Sequence, residues 1–168
     1  MNNQWINFLI NRHKNKFNEG FTLIELLVTI IIIGVLSAIA LPSFLSQVGK
    51  ARESEAKNNL GTLSRAQQGY HFENQVFADS LNRLASNTIF ESEYYNYPNA
   101  DVANNNILTQ RAVSIDSNSN RTRDYALGVY FNAGSYTSKI CESSAVGQTV
   151  EAPTIATDPC TNGGIELN

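Results

Sequence analysis

The sequence predicts an α+β chain. One long N-terminal helix lies across a four-stranded antiparallel sheet, and a disulfide loop closes the C-terminal segment. Three observations carry this reading. A run from Phe21 to Leu41 holds Glu25 as its one ionisable side chain. Beyond Pro42, apolar and small residues recur at three- and four-residue intervals, the spacing of one helix face. From residue 87 onward, short β-prone runs alternate with clusters of Asn, Ser and Gly.

The chain has 168 residues, room for one domain. Its net charge is −3, and the first 20 residues carry Arg12, Lys14 and Lys16 against Glu19. The remainder is therefore more acidic than the whole. That balance argues against strong non-specific nucleic-acid binding, which needs Lys and Arg to neutralise phosphates.

Residues 1–20 fit a secretory signal peptide poorly. The apolar patch Trp5–Ile10 is short and precedes the basic cluster Arg12–Lys16, the reverse of the usual order. The run FTLIELLVTIIIIGVLSAIAL that follows is long enough to cross a bilayer core, which takes about 20 apolar residues as a helix. The basic cluster before it predicts a cytoplasmic N-terminus. A plain, unprocessed signal anchor would share these features, but it would not explain Glu25. A carboxylate in a membrane helix costs about 2.5–3.5 kcal/mol on insertion scales. The side chains of the run offer it no cation. Cleavage before Phe21 would free an α-amine that is largely protonated near neutral pH.

Gly34 and Pro42 interrupt the helix chemistry: Gly34 adds backbone freedom, and Pro42 removes the N–H that would bond to Ala38. The helix is expected to continue past Pro42 to about Asn74. Its buried row is Phe44, Val48, Ala56, Leu60, Leu63 and Tyr70, with Gln67. Lys50, Arg52, Glu53, Glu55 and Lys57 are expected on other faces, with Glu53 and Lys57 as an i,i+4 pair. Asp79 or Ser80 reads as the cap of a short helix through Leu84. The expected strands are Glu93–Tyr97, Ile107–Ile115, Asp124–Phe131 and Tyr136–Glu142, with a hairpin loop at Asn132–Ser135. Asn104–Asn106 and Asp116–Asn120 are expected as exposed loops. In an oxidising compartment Cys141 and Cys160 are expected to pair; two buried free thiols are the alternative. A disulfide there would close a loop containing Pro153 and Pro159, for about 3 kcal/mol on the chain-entropy estimate.

The stretch GFTLIELLVTIIIIGVLSAIALPSF resembles the class III signal of type IV prepilins and pseudopilins. The match runs from Glu19 to about Leu45 and is highly specific. The stretch NLGTLSRAQQGYHFENQVFADSLNRL is similar, more loosely, to the pilin-like proteins of photosynthetic bacteria. The resemblance implies a pilin fold. It implies cleavage by a prepilin peptidase after Gly20, N-methylation of Phe21, and a role for Glu25 in subunit docking. It implies local loss of helix across Gly34–Pro42 on assembly, and a Cys141–Cys160 segment like the outward-facing D-region. The implied organisation is a leader at 1–20, a transmembrane and filament-core helix at 21–45, and an extracytoplasmic globular domain at 46–168. Implied partners are the peptidase, the membrane, other copies in a helical homopolymer, an inner-membrane assembly platform with ATPase motors, and an outer-membrane secretin. The chain would be a single-pass inner-membrane protein before assembly and part of a cell-surface pilus afterwards.

No cofactor or metal site is expected. P-loop, GxGxxG, HExxH and GxSxG motifs do not occur. His71 is expected as a surface or packing residue, since no catalytic partner lies near it. Arg121-Thr122-Arg123 reads as a solvated turn, and Asn120-Arg121-Thr122 as a weak glycan sequon. The chain is expected to be a peptidase substrate and not an enzyme. The leading expectation is the major subunit of a type IV pilus, supporting surface motility, adhesion and DNA uptake. The alternatives are a pseudopilin of a type II secretion system and a minor pilin acting as a membrane-anchored binding protein.

Overall fold

The computed structural model describes residues 21–84 and 92–167. The chain divides into two compact units, residues 1–41 and 42–168. Helix α1 runs from Leu23 to Asn74 with Pro42 inside it. In the first unit its side chains are apolar apart from Glu25, Thr29 and Ser37, and none is buried.

In the second unit α1 buries one face. Ala56, Leu60 and Leu63 are fully inaccessible and pack with Leu108, Ala112, Tyr125, Leu127 and Val129 of the sheet. The buried row is Gly49, Glu53, Ala56, Leu60, Leu63, Ser64, Gln67 and His71. Two expectations for this face need correction. Phe44 is 62% exposed and does not belong to the row. Glu53 is buried, and it accepts a hydrogen bond from the Arg123 amide at 3.1 Å instead of pairing with Lys57. Lys57 pairs with Glu142 at 3.8 Å. The carboxylate goes inside because a backbone N–H is waiting there, which a helix-periodicity argument does not see.

The row opens with Gly49 for a steric reason. A Cβ at this position would lie 2.5 Å from the Arg121 carbonyl oxygen. The 121 loop therefore rests directly on the helix backbone. Near the helix end, His71 is buried, with Nδ1 2.8 Å from the Tyr136 hydroxyl and Nε2 2.7 Å from the Asn105 carbonyl. Its ring packs on Phe77 and Phe131. It is a packing residue, hydrogen-bonded at both nitrogens. Gln67 closes the following turn by exchanging two hydrogen bonds with the backbone of Ala78.

The sheet contains β1 (Tyr95–Asn96), β2 (Val102–Ala103), β3 (Ile107–Ser114), β4 (Tyr125–Asn132), β5 (Ser135–Glu142) and β6 (Ile165–Leu167). Their order is β1-β3-β4-β5-β6, β2 also pairs with β3, and all pairings are antiparallel. The four expected strands exist, the first shortened to two residues. Two further short strands, β2 and β6, have too few residues to show a period of two in the sequence. β4 and β5 meet through a two-residue turn, Ala133-Gly134, with φ of 50° and 84°, the left-handed pair that a tight hairpin requires.

Two loop expectations are also corrected. Ser117–Asn120 forms a short helix, α2, capped by the Asp116 carboxylate on the Ser119 amide at 3.1 Å. That hydrogen bond holds the Asp116 carboxyl below its ordinary range. The 121–123 segment is not a solvated turn. Thr122 is fully buried with its hydroxyl 2.5 Å from that of Ser114, and the Arg123 guanidinium binds the Glu142 carboxylate. The expected short helix before Leu84 is a 3-10 turn, Leu81–Arg83.

Candidate functional site

The N-terminal end of α1 holds Phe21 and Glu25, two of the residues singled out from the sequence. Gly20 lies outside the described residues. Phe21 is 84% exposed and precedes the helix. Thr22 is the N-cap, and Glu25 sits three residues on. The Thr22 amide donates to Glu25 Oε2 at 2.8 Å, and the Glu25 amide donates to Thr22 Oγ1 at 3.3 Å. The Thr22 hydroxyl also donates to the same carboxylate at 2.8 Å. This reciprocal pair is a capping box. It satisfies helix donors that would otherwise be orphaned. Thr22 was the functional residue that sequence reasoning missed, although Thr-x-x-Glu before an apolar run is its readable signature.

In the uncleaved chain the nitrogen of Phe21 is a peptide nitrogen, so Glu25 takes its hydrogen bonds from Thr22. The carboxylate has two lone-pair-bearing oxygens, and the bonds from Thr22 go to Oε2. Cleavage before Phe21 would add a cationic donor at the helix start, within reach of the same carboxylate.

Every residue from Phe21 to Leu45 is exposed in the single chain. The span meets the length and hydropathy of a membrane helix. A Cβ on Gly34 would meet nothing within 4 Å, so packing inside the chain gives no reason for a glycine there. The helix passes through Gly34 and Pro42 without a break.

The second cluster lies at the other end of the sequence. Cys141 and Cys160 form a disulfide with Cα atoms 5.7 Å apart. They sit with Ala126, Val150 and Ala152 in a small core of their own. Three polar contacts hold the segment down. The Tyr130 hydroxyl donates to the Pro153 carbonyl at 2.5 Å, and burial pushes that phenol up to about 12, so it remains a donor. Lys139 reaches both the Asp158 carbonyl at 2.8 Å and the Glu166 carboxylate at 2.9 Å. Among the described residues no group of three His, Cys, Asp or Glu could hold a metal.

Residues 15–41 match the prokaryotic N-terminal methylation motif, and residues 53–162 match the family described as type IV pilin-like G and H. The chain belongs to the type IV pilin-like family. This pilin-like chain is 43% identical over 70 residues to the type IV major pilin protein PilA of Myxococcus xanthus, covering 42% of this chain and 32% of that protein. It is 44% identical over 59 residues to the fimbrial protein EcpC of Eikenella corrodens, covering 35% and 39%. It is 30% identical over 83 residues to the type II secretion system core protein G of Pectobacterium carotovorum, covering 48% and 53%. The pilin-like chain thus spans about a third to a half of the length of these relatives. The family is structural and is not known for enzymes, and its pilin and secretion branches are both represented among these relatives.

Proposed function

We propose that this chain is a filament subunit: the major pilin of a type IV pilus, cut after Gly20, N-methylated at Phe21 and polymerised through residues 21–45. One observation carries the reading. The apolar half of α1 is left uncovered along its whole length, while the amphipathic half is buried on the chain's own sheet. Apolar area contributes about 25 cal/mol per Å² when it leaves water, so this stripe needs either a bilayer or other copies of itself. The membrane serves before assembly, with residues 1–20 as a cytoplasmic leader and residues 46–168 beyond the membrane. The filament core serves afterwards, on the cell surface.

The partners in this reading are the prepilin peptidase, the membrane, further copies, an assembly platform with ATPase motors, and an outer-membrane secretin. Pili of this kind support surface motility, adhesion and DNA uptake. The methylation motif supports the processing step, and the relatives named as major pilin and fimbrial protein support the polymer. The Cys141–Cys160 disulfide favours a pilus subunit, because pseudopilin domains often lack one.

A second reading, a type II secretion pseudopilin, is favoured by the similarity to core protein G in two organisms. Electron microscopy of filaments sheared from the cell surface, with intact mass of their main band, separates the two. The expected band begins at Phe21 and carries one added methyl. Full-length chain in the filaments would overturn the processing step. Loss of protein secretion with no surface filament would favour the pseudopilin.

A further inference from the structure

We infer that the chain carries a binding cleft for an anionic phospholipid headgroup, built between α1 just past its apolar span and the 121–123 loop. The inference rests on the membrane reading of the apolar run and on nothing else in the proposed function.

The cleft has a volume of about 590 Å³, and Ser46, Lys50, Lys57, Arg121, Arg123 and Glu142 are among its walls. Its position along the helix is fixed by the sequence. The transmembrane helix of this reading, residues 21–45, ends at Leu45, and Lys50 lies five residues on, about 7.5 Å along the axis. The polar headgroup layer outside a bilayer core is about 5–8 Å thick on each side. Ser46 and Lys50 therefore stand at headgroup depth.

The charge of the cleft is opposite to that of the chain. Lys50, Lys57, Arg121 and Arg123 face Glu53 and Glu142, a cationic excess in a protein of net charge −3. The two carboxylates are already engaged: Glu142 by Lys57 and Arg123, and Glu53 by the Arg123 amide. Lys50 and Arg121 are exposed, and among the described residues no hydrogen bond or ion pair uses their side chains. The missing side chain at Gly49 lets the Arg121 backbone rest on the helix one residue before Lys50, which brings the two unused cations to one wall. An ammonium and a guanidinium on a phosphodiester form charge-assisted hydrogen bonds, and a membrane surface presents that group at this height. The ion pairs of Glu142 with Lys57 and Arg123 hold the loop in place, and the two exposed cations do the binding.

The test uses the full chain reconstituted in phosphatidylcholine vesicles containing spin-labelled phosphatidylglycerol or spin-labelled phosphatidylcholine. The readout is the ratio of protein-restricted label for the two lipids. Lys50→Gln with Arg121→Gln should lower the selectivity for phosphatidylglycerol by about five- to thirtyfold, the size expected for one to two interfacial cations. Lys50→Arg with Arg121→Lys should keep it. The leader cations Arg12, Lys14 and Lys16 are present in every variant, so the difference reads the cleft alone. Non-reducing mapping of Cys141–Cys160 checks that each variant is folded. Equal selectivity in the wild type and the Gln variant overturns the inference while leaving the filament reading intact. Loss of selectivity on adding soluble glycerol phosphate also overturns it, because the site would then serve a free phosphate. A chain that enters neither vesicle overturns the membrane reading and the cleft together.

Discussion

Glu25 caps its own helix through Thr22, which bonds to Oε2; in the proposed reading it also meets the amine of Phe21 after cleavage. A glutamine keeps the capping geometry, since Gln serves in a capping box as well as Glu, but it cannot hold an ammonium by charge. Glu25→Gln and Glu25→Ala therefore separate the roles. Both variants should insert and lose the leader, because a polar residue near a helix end reaches the interface. Both should give about tenfold fewer filaments or less, the effect of roughly 1.4 kcal/mol lost per added subunit. Immunoblots of membranes and of sheared surface fractions measure this. Wild-type filament yield from Glu25→Gln would mean that capping, and not charge, is what assembly uses. The residue scale was only partly legible. Glu25 stands out as the one charge in an apolar run, and the Thr22 cap is legible through Thr-x-x-Glu; Glu53 was misjudged because its partner, the Arg123 amide, is a distant backbone donor that no side-chain pattern marks.

Among the elements, β6 is the one most dependent on a distant contact. Ile165–Leu167 pairs with Ile140–Glu142, next to Cys141, and it has only three residues with which to do so. A strand this short is not stable by itself. With Cys141→Ser, the chain loses a constraint of about 2–4 kcal/mol. Amide exchange should then rise first across residues 150–167, while β3 and β4 remain protected. Uniform loss of protection across the sheet would show that the disulfide supports the whole fold and not its edge. β6 was invisible in the sequence because its three residues are too few to establish a period of two, and only the cysteine pairing hinted that the tail returns to the sheet. The long strands β3, β4 and β5 were legible because each carries eight residues between turn-forming clusters. Helix α1 was legible to its last residue because its row of Ala56, Leu60 and Leu63 keeps helical spacing.

At the scale of the whole molecule, α1 joins two chemistries in a single helix. Among the described residues nothing covers its first part, and its second is part of a core. Pro42 lies at the start of the second unit, where the hydrogen bond to Ala38 is missing in any case. Filament growth should concentrate distortion between Gly34 and Pro42, because little is lost there when the helix opens. A filament reconstruction should show extended backbone in that interval, in contrast to the continuous helix of the free chain. An unbroken helix in the filament would contradict this. The apolar span, its glycine and its proline were all readable from the sequence. The close seat of the 121 loop on Gly49 was not, since it joins positions far apart in the chain.

The Cys141–Cys160 bridge also has a consequence for the order of events in the cell. In the proposed reading its two sulfurs are reduced while the chain is on the cytoplasmic side and join once the C-terminus has reached an oxidising compartment, while the apolar helix stays behind in the bilayer. On that reading the bridge would act as a chemical stamp of passage: a subunit that bears it would have its head and its anchor on the correct sides. A subunit that lacks it carries a loose edge strand, an unpaired row of amides and carbonyls that other chains can attach to.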